Sequence, residues 1–392
     1  MDFLNRASEI ADKLVEYRRH QHMHPELGMD MEGAVAYVSE ALRAIGCTPE
    51  RVGRSGVVTT IGKPGGKVFL LRADMDALPI QEESGLPFAS QVPNRAHCCG
   101  HDLHTAMLLG AAQLLKEREG ELDGMVKLMF QPGEETMEGA KDMLEAGVLE
   151  NPHVDAAMAI HVNSIVPTGR MLVFYGPVCA SSDLFSIRVQ GKGGHGSRPD
   201  ETIDPINAAC HIHLALQELQ ARELKAGETG VLTIGSIHGG LAHNVIPDAV
   251  EMLGTIRTYN KDVRQMLIQR LKEISEKVAD AFRAKAEVIM DNASTIPLVV
   301  DEQTAAQVRD SLREMLPAQQ VIYLSKNFPA SEDFAYITDR VPSAFVILGA
   351  AIKEKPEFGQ HHPKVRSDER CLPIGAAAYA QAATQWLNAH RA

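Results

Sequence analysis

The run KVFLLRAD (residues 67–74) decides the fold: it is a short apolar stretch of strand length that ends on charge. Similar runs stand on either side of it, VVTTIG (57–62), MVKLMFQP (125–132) and VDAAMAIHV (154–162), and helical stretches such as TAMLLGAAQLLKERE (105–119) separate them. That alternation predicts an α/β domain whose central, mostly parallel sheet is flanked by helices. In such sheets ligands gather beyond the carboxyl ends of the strands. The polar tails of the runs, namely Asp74 and Asp76, Gln131 to Glu135, and His161, therefore mark where a site should lie.

Toward the N-terminus, Phe3, Leu4, Ala7, Ile10, Ala11, Leu14 and Val15 recur at helical spacing and predict one opening amphipathic helix. Val35, Val38, Leu42 and Ile45 predict a second, stopped by Gly46. Beyond Asp183 the order changes. A strand LFSIRVQ (184–190) is followed by a helix from Asp204 to about Leu219, and then by strands GVLTIGSIHG (230–239) and AVEMLGTIRTY (249–259). A helix from Lys261 to about Phe282 and a strand AEVIMD (286–291) complete the string. This βαββαβ order is ferredoxin-like and folds as its own α+β unit. After Thr295 the first pattern resumes, with AFVILGA (344–350) and a last helix around Ala376 to Leu387. The expected organisation is a discontinuous domain of residues 1–182 and 295–392 with an insertion at 183–294.

A chain of 392 residues exceeds the roughly 250–300 at which one core stops growing, which agrees with two domains. Its 45% hydrophobic and 23% charged residues are an ordinary globular balance. The net charge of −12 repels a polyanion and argues against nucleic acid as partner. Asp2, Arg6, Glu9, Asp12 and Lys13 interrupt the opening helix, so it is no signal peptide, and no run reaches the ~18 apolar residues of a membrane span. A cytoplasmic enzyme is expected. Six cysteines over this length form no disulfide framework, and Cys47, Cys179, Cys210 and Cys371 read as plain buried residues. Cys98 and Cys99 differ, because His97 and His101 stand beside them.

Three clusters carry metal-ligand chemistry at predicted strand ends. In His97-Cys98-Cys99-Gly100-His101-Asp102-Leu103-His104, three imidazoles and two thiols fall within eight positions, and the glycine lets the backbone aim two of them at one point. In Gln131-Pro132-Gly133-Glu134-Glu135, one carboxylate can bind metal while its neighbour serves as general base toward bound water. The third comprises His161 and the pair His361-His362, and its weight comes from convergence with the others.

Taken together, RRHQHMHPELG (18–28), LLRADMDALP (70–79), HCCGHDLHTAMLLG (97–110), FQPGEE (130–135), IHV (160–162), GKGGHGSRP (191–199), NVIPDA (244–249), GTIR (254–257), SEDF (331–334) and HHP (361–363) resemble one family. It is that of aminoacylase and hippurate-hydrolase type metallopeptidases, and the nearest branch resembles the hydrolases of indole-acetyl amino acids, hippurate and N-acetyl-diaminopimelate. The resemblance implies that Cys99, His101, Glu135, His161 and His361 hold two divalent metal ions, with Cys99 in place of a bridging carboxylate. Glu134 then matches the general base that takes a proton from the bridging water and delivers it to the leaving amine. Asp74 matches an acidic residue beneath the metals, where it orients ligands or caps its strand, and Asp102 carries the same two readings.

By the same resemblance the inserted domain is a lid or dimerisation domain. Its His195 stabilises the oxyanion of the tetrahedral intermediate, within its own chain or across a homodimer. Asn244 and Arg257 match residues that hold the substrate carboxylate, which a guanidinium can grip through two parallel hydrogen bonds. One thiolate, three imidazoles and a carboxylate suit Zn²⁺; Mn²⁺, Co²⁺ or Ni²⁺ fit the same ligands. The sequence departs from the family pattern at Cys98, where alanine is usual, at Gly133, where glycine in place of alanine is expected only to loosen the loop, and at DMEGAVAY (30–37). The reading that follows is hydrolysis of the amide of an N-acyl amino acid. Its rivals are a dipeptidase or carboxypeptidase, and a non-catalytic metal- or ligand-binding protein, against which an intact Glu134 weighs.

Overall fold

A computed structural model describes residues 2–352 and 357–391. Three helices open the chain, α1 (Phe3–Glu9), α2 (Ala11–Met23) and α3 (Glu32–Ile45), followed by strands β1 (Glu50–Val52), β2 (Gly56–Gly62) and β3 (Lys67–Asp74). Then come α4 (His101–Lys116), β4 (Gly124–Gln131), α5 (Gly139–Glu145), β5 (Ala156–Pro167), β6 (Met171–Phe174) and β7 (Gly176–Cys179). The next stretch holds β8 (Asp183–Gln190), β9 (Gly194–His195), α6 (Pro205–Glu218), β10 (Gly230–His238), β11 (Val245–Ile246), β12 (Ala249–Thr258), α7 (Lys261–Ala281) and β13 (Lys285–Met290). The chain closes with β14 (Leu298–Val300), α8 (Glu302–Met315), β15 (Val321–Leu324), α9 (Ala335–Thr338), β16 (Ser343–Ala351) and α10 (Cys371–Ala389).

Two compact units result. The first takes the described residues up to Gly176, Val299–Lys326 and those from Asp333 on; the second takes Pro177–Leu298 and Asn327–Glu332. The first is built on an eight-stranded sheet of order β1-β2-β4-β3-β5-β16-β6-β15. It is mixed: β4, β3, β5 and β16 run parallel, while β1, β2 and the β16–β6 pairing are antiparallel. The apolar runs at 67–74, 125–132 and 154–162 form its parallel centre, whose burial reads as continuous hydrophobicity, whereas the run at 57–62 is the antiparallel β2. Helix α4 is buried almost throughout, and its Leu103, Leu108, Leu109, Leu114 and Leu115 each contribute about 1.5–3 kcal/mol of apolar burial.

The second unit has a four-stranded antiparallel sheet of order β10-β12-β8-β13, with α6 and α7 packed on one face. Numbered within the unit this is 2-3-1-4, the ferredoxin-like arrangement of a βαββαβ string. Strand alternation explains the packing: Phe185, Ile187 and Val189 of β8 point to the helices and are buried, whereas Leu184 on the same strand is exposed. The helices begin where the sequence supplies caps. Asp204 accepts from the N–H groups of Ile206 and Asn207, and Asn260 from those of Asp262 and Val263.

Some details differ from the sequence reading. The opening helix is broken at Ile10 into α1 and α2, and the last helix starts at Cys371, five residues before Ala376. Cys210 is exposed on α6 rather than buried, because α6 turns only one face to its sheet.

Candidate metal centre

The parallel centre of the first sheet aligns the strand ends. Asp74 pairs with Gln131 across β3 and β4, and Arg72 pairs with Ala159 across β3 and β5, so the tail of β3, the 131–135 loop and His161 stand level at one edge. Helix α4 starts at the same edge with His101. The residue before it, Gly100, has φ +99, and a Cβ there would lie 2.4 Å from Cγ2 of Val162. Glycine thus allows Cys99 and His101 to point at one spot beside β5.

The five side chains expected to hold metal are brought together. Sγ of Cys99 lies 3.5 Å from Nε2 of His161. Nε2 of His101 lies 3.9 Å from Oε1 of Glu135 and 4.0 Å from Oε2 of Glu134. Nε2 of His361 lies 3.5 Å from Oε1 of Glu135. Two groups of potential ligand atoms share the thiol, Cys99-His101-His161 and Cys99-Glu135-His361. His361 is placed by its backbone, whose N–H donates to the carbonyl of Cys98 at 2.9 Å.

A metal fits this donor set on two observations. Nε2 of His101 and Oε1 of Glu135 are buried without a hydrogen-bond partner, a costly state for polar atoms unless a cation supplies the missing interaction. The protonation balance agrees. Burial pushes the Cys99 thiol well above its ordinary range and the Glu135 carboxyl up to about 7, with Asp76 and Asp74 adding to the second shift. Against its own burial, His101 is raised well above its ordinary range, chiefly by the Asp74 carboxylate. Protons thus stand where positive charge is wanted, and a bound cation would displace them.

Asp74 is fully buried and is no strand cap. Burial opposes its charge, yet His101, Arg72 and His104 hold it well below the carboxylate range. Arg72 donates to it at 2.7 Å and also reaches Gln131 and Asp333, at 2.9 and 2.8 Å. Asp102 faces elsewhere: its carboxylate accepts from Nε of Arg18 at 3.0 Å and from Nδ1 of His22 at 2.8 Å. Neither is an expected ligand. The second-unit residues group by themselves. His195 on β9 pairs with Val245 of β11, Gly196 N–H donates to Asn244 O at 2.8 Å, and Nη1 of Arg257 donates to Ser331 Oγ at 2.6 Å.

The sequence profile of peptidase family M20/M25/M40 matches residues 70–385, a span that includes every expected site residue. The chain belongs to this family. Among the relatives of this M20/M25/M40 member is an N-acetyl-L-cysteine deacetylase of Bacillus subtilis, 36% identical over 93% of this chain and 86% of the relative. Another is IAA-amino acid hydrolase ILR1-like 2 of Arabidopsis thaliana, 36% identical over 97% and 87% of the two chains. A third is thermostable carboxypeptidase 2 of Saccharolobus solfataricus, 37% identical over 98% of each. The crystal structure of the Bacillus subtilis YXEP protein, a dinuclear metal-binding peptidase from the M20 family, aligns with a TM-score of 0.83 and 33% identity over 97% and 99% of the two chains.

Asp76, His104 and Gly133 are named in the sequence reading of this M20/M25/M40 chain, but without the roles that follow. Asp76 accepts the backbone N–H groups of both Glu134 and Glu135 at 3.1 Å and lies 3.3 Å from Nδ1 of His101, so one carboxylate sets loop and helix together. Its alternation with Asp74 at a strand end was the available signal. His104 packs against both His101 and His161, and its i+3 spacing from His101 could have placed it there. Gly133 does more than loosen its loop: it has φ +58, and a Cβ would meet Sδ of Met29 at 2.5 Å, so alanine would be strained.

Proposed function

We propose that the chain hydrolyses the amide bond of N-acyl amino acids or related small conjugates, with Cys99, His101, Glu135, His161 and His361 holding two divalent metal ions. The observation that carries this reading is the convergence of those five side chains on a shared thiol, with two buried ligand atoms lacking hydrogen bonds. Thiolate and imidazole favour Zn²⁺, and Mn²⁺, Co²⁺ or Ni²⁺ fit the same set. Bound ions supply Lewis acidity to water and to the scissile carbonyl.

The protein's own residues do the rest. Glu134, 95% buried and held through its backbone by Asp76, takes a proton from the attacking water and hands it to the leaving nitrogen. His195 stabilises the developing oxyanion, and Asn244 with Arg257 receives the substrate carboxylate. Asp74 orients the ligand histidines. We place the enzyme in the cytoplasm as a homodimer or higher homo-oligomer; no helix among the described residues is long and apolar enough to cross a membrane.

A hydrolysis screen over N-acetyl, N-benzoyl, N-indoleacetyl and aminoacyl amino acids tests the reading. Turnover of the acyl series above the aminoacyl series is expected. The reverse order would favour the second reading, a carboxypeptidase or dipeptidase, which the Saccharolobus relative supports. No metal-dependent turnover of any of them would overturn both.

A further inference from the structure

His104 is buried beside two of the proposed ligand rings, 5.3 Å from the His101 centroid and 4.6 Å from that of His161. With Asp74 and His101 it forms a third group of potential ligand atoms. Both of its nitrogens, however, are already committed. The backbone N–H of Val162 points at Nε2 from 2.8 Å, and an N–H can only donate, so Nε2 carries no proton. In the neutral ring the proton is therefore on Nδ1, which donates to Oδ1 of Asp74. Neither lone pair nor proton remains for a metal.

What the ring does is join two parts of the centre. Val162 directly follows His161, so the Nε2 contact fixes the β5 backbone at the point from which His161 projects. Asp74 is in turn held by Arg72 at 2.7 Å, and Arg72 by Gln131 and Asp333, which ties the ring to the ends of β3 and β4 and to the segment just before α9. His104 touches residues of the Cys99-His101-His161 group. No contact joins it to Glu135 or His361 among the described residues.

We propose that His104 is a positioning residue for one of the two metal positions, that of Cys99, His101 and His161, and not for the position of Cys99, Glu135 and His361. This rests on the two-metal reading above. It predicts asymmetry: loss of the Val162 contact should loosen one ion and leave the other.

Two polar substitutions separate the contacts. His104→Gln can place an amide oxygen near the position of Nε2 and keep the Val162 acceptor while losing the donor to Asp74. His104→Asn can keep the donor to Asp74 and lose the acceptor. Mn²⁺ binding by equilibrium dialysis, with electron paramagnetic resonance to tell a coupled ion pair from an isolated ion, reads the result without activity. Leu108→Val, at a buried apolar position on α4, controls for disturbed packing.

Wild type and Leu108→Val are expected to take up two coupled ions. His104→Gln should retain both. His104→Asn should weaken one ion by roughly 10–100-fold and show the spectrum of an isolated ion. Equal weakening of both ions in His104→Asn, or wild-type binding in both variants, would overturn the proposal. A wild-type protein that binds fewer than two ions would instead overturn the two-metal reading itself.

Discussion

Apart from the exposed His361, the first unit holds its proposed functional residues in a different way from the second. In the first, Asp74, His101 and Glu134 are buried, and each is fixed by other charged groups: Arg72 on Asp74, Asp76 on His101 and on the backbone of Glu134. In the second, His195 and Asn244 are exposed and are placed by backbone pairing between β9 and β11. The difference suits the chemistry. Metal ligands must be set to fractions of an ångström by a surrounding shell, whereas groups that meet a substrate must remain accessible to it.

Five tests would break or sharpen that contrast. The largest effect is expected at the base: Glu134→Gln should keep its metal content and lose roughly 10²–10⁴-fold in kcat, and near-normal turnover in the metal-loaded variant would remove Glu134 from the mechanism. Next, Cys99→Ala should lower metal stoichiometry while Cys98→Ala does not. Elemental analysis decides this, and equal loss in both would show that the thiol is misassigned. Third, Arg18→Ala removes one of the two buried partners of the Asp102 carboxylate, 3.0 Å away, leaving His22 as the other, and should destabilise the protein by about 3 kcal/mol. The exposed Arg198–Glu201 pair of the second unit offers the comparison, since Arg198→Ala should change stability by under about 1 kcal/mol. Equal urea midpoints for these two variants would erase the contrast.

The fourth concerns pH. Burial opposes the charge on His22, but Asp102 and Glu82 outweigh it and raise the ring to about 9. Its contribution to stability is therefore complete below the ordinary value near 6.5 and lost as pH rises through about 9. Unfolding midpoints at fixed metal content should fall across that window, and His22→Gln should flatten the fall; an unchanged slope would contradict it. The smallest effect is expected in the second unit. Arg257→Ala should raise KM roughly ten- to a hundredfold for N-acyl amino acids and little for the matching amides, which lack the charge. A similar rise for both would separate Arg257 from the carboxylate.

Much of this was legible beforehand, for a physical reason. Strand and helix periodicity is a local property, so the runs at 57–62, 67–74, 125–132 and 154–162 and the βαββαβ string of the second unit could be read without coordinates. Ligand chemistry is likewise a property of residue type, and the clusters at 97–104, 131–135, 161 and 361 announced themselves. The sheet's mixed character was not legible: the run at 57–62 reads as a strand, but its antiparallel pairing with β4 is set by a partner distant in sequence, and β6 is only four residues long.

What only the tertiary structure decided is direction. Asp74 and Asp102 looked alike in the sequence, each an acid next to the metal motifs. Folding turned Asp74 to Arg72 and His104 beneath the ligands, and Asp102 to Arg18 and His22 on α2. His104, one more histidine in a rich motif, proved to have both nitrogens committed within the protein. The sequence by itself determined which chemistry the chain carries and on which elements. Which atom meets which partner was set by the packing of strands and helices distant in sequence, because a side chain's role depends on neighbours that only the fold supplies.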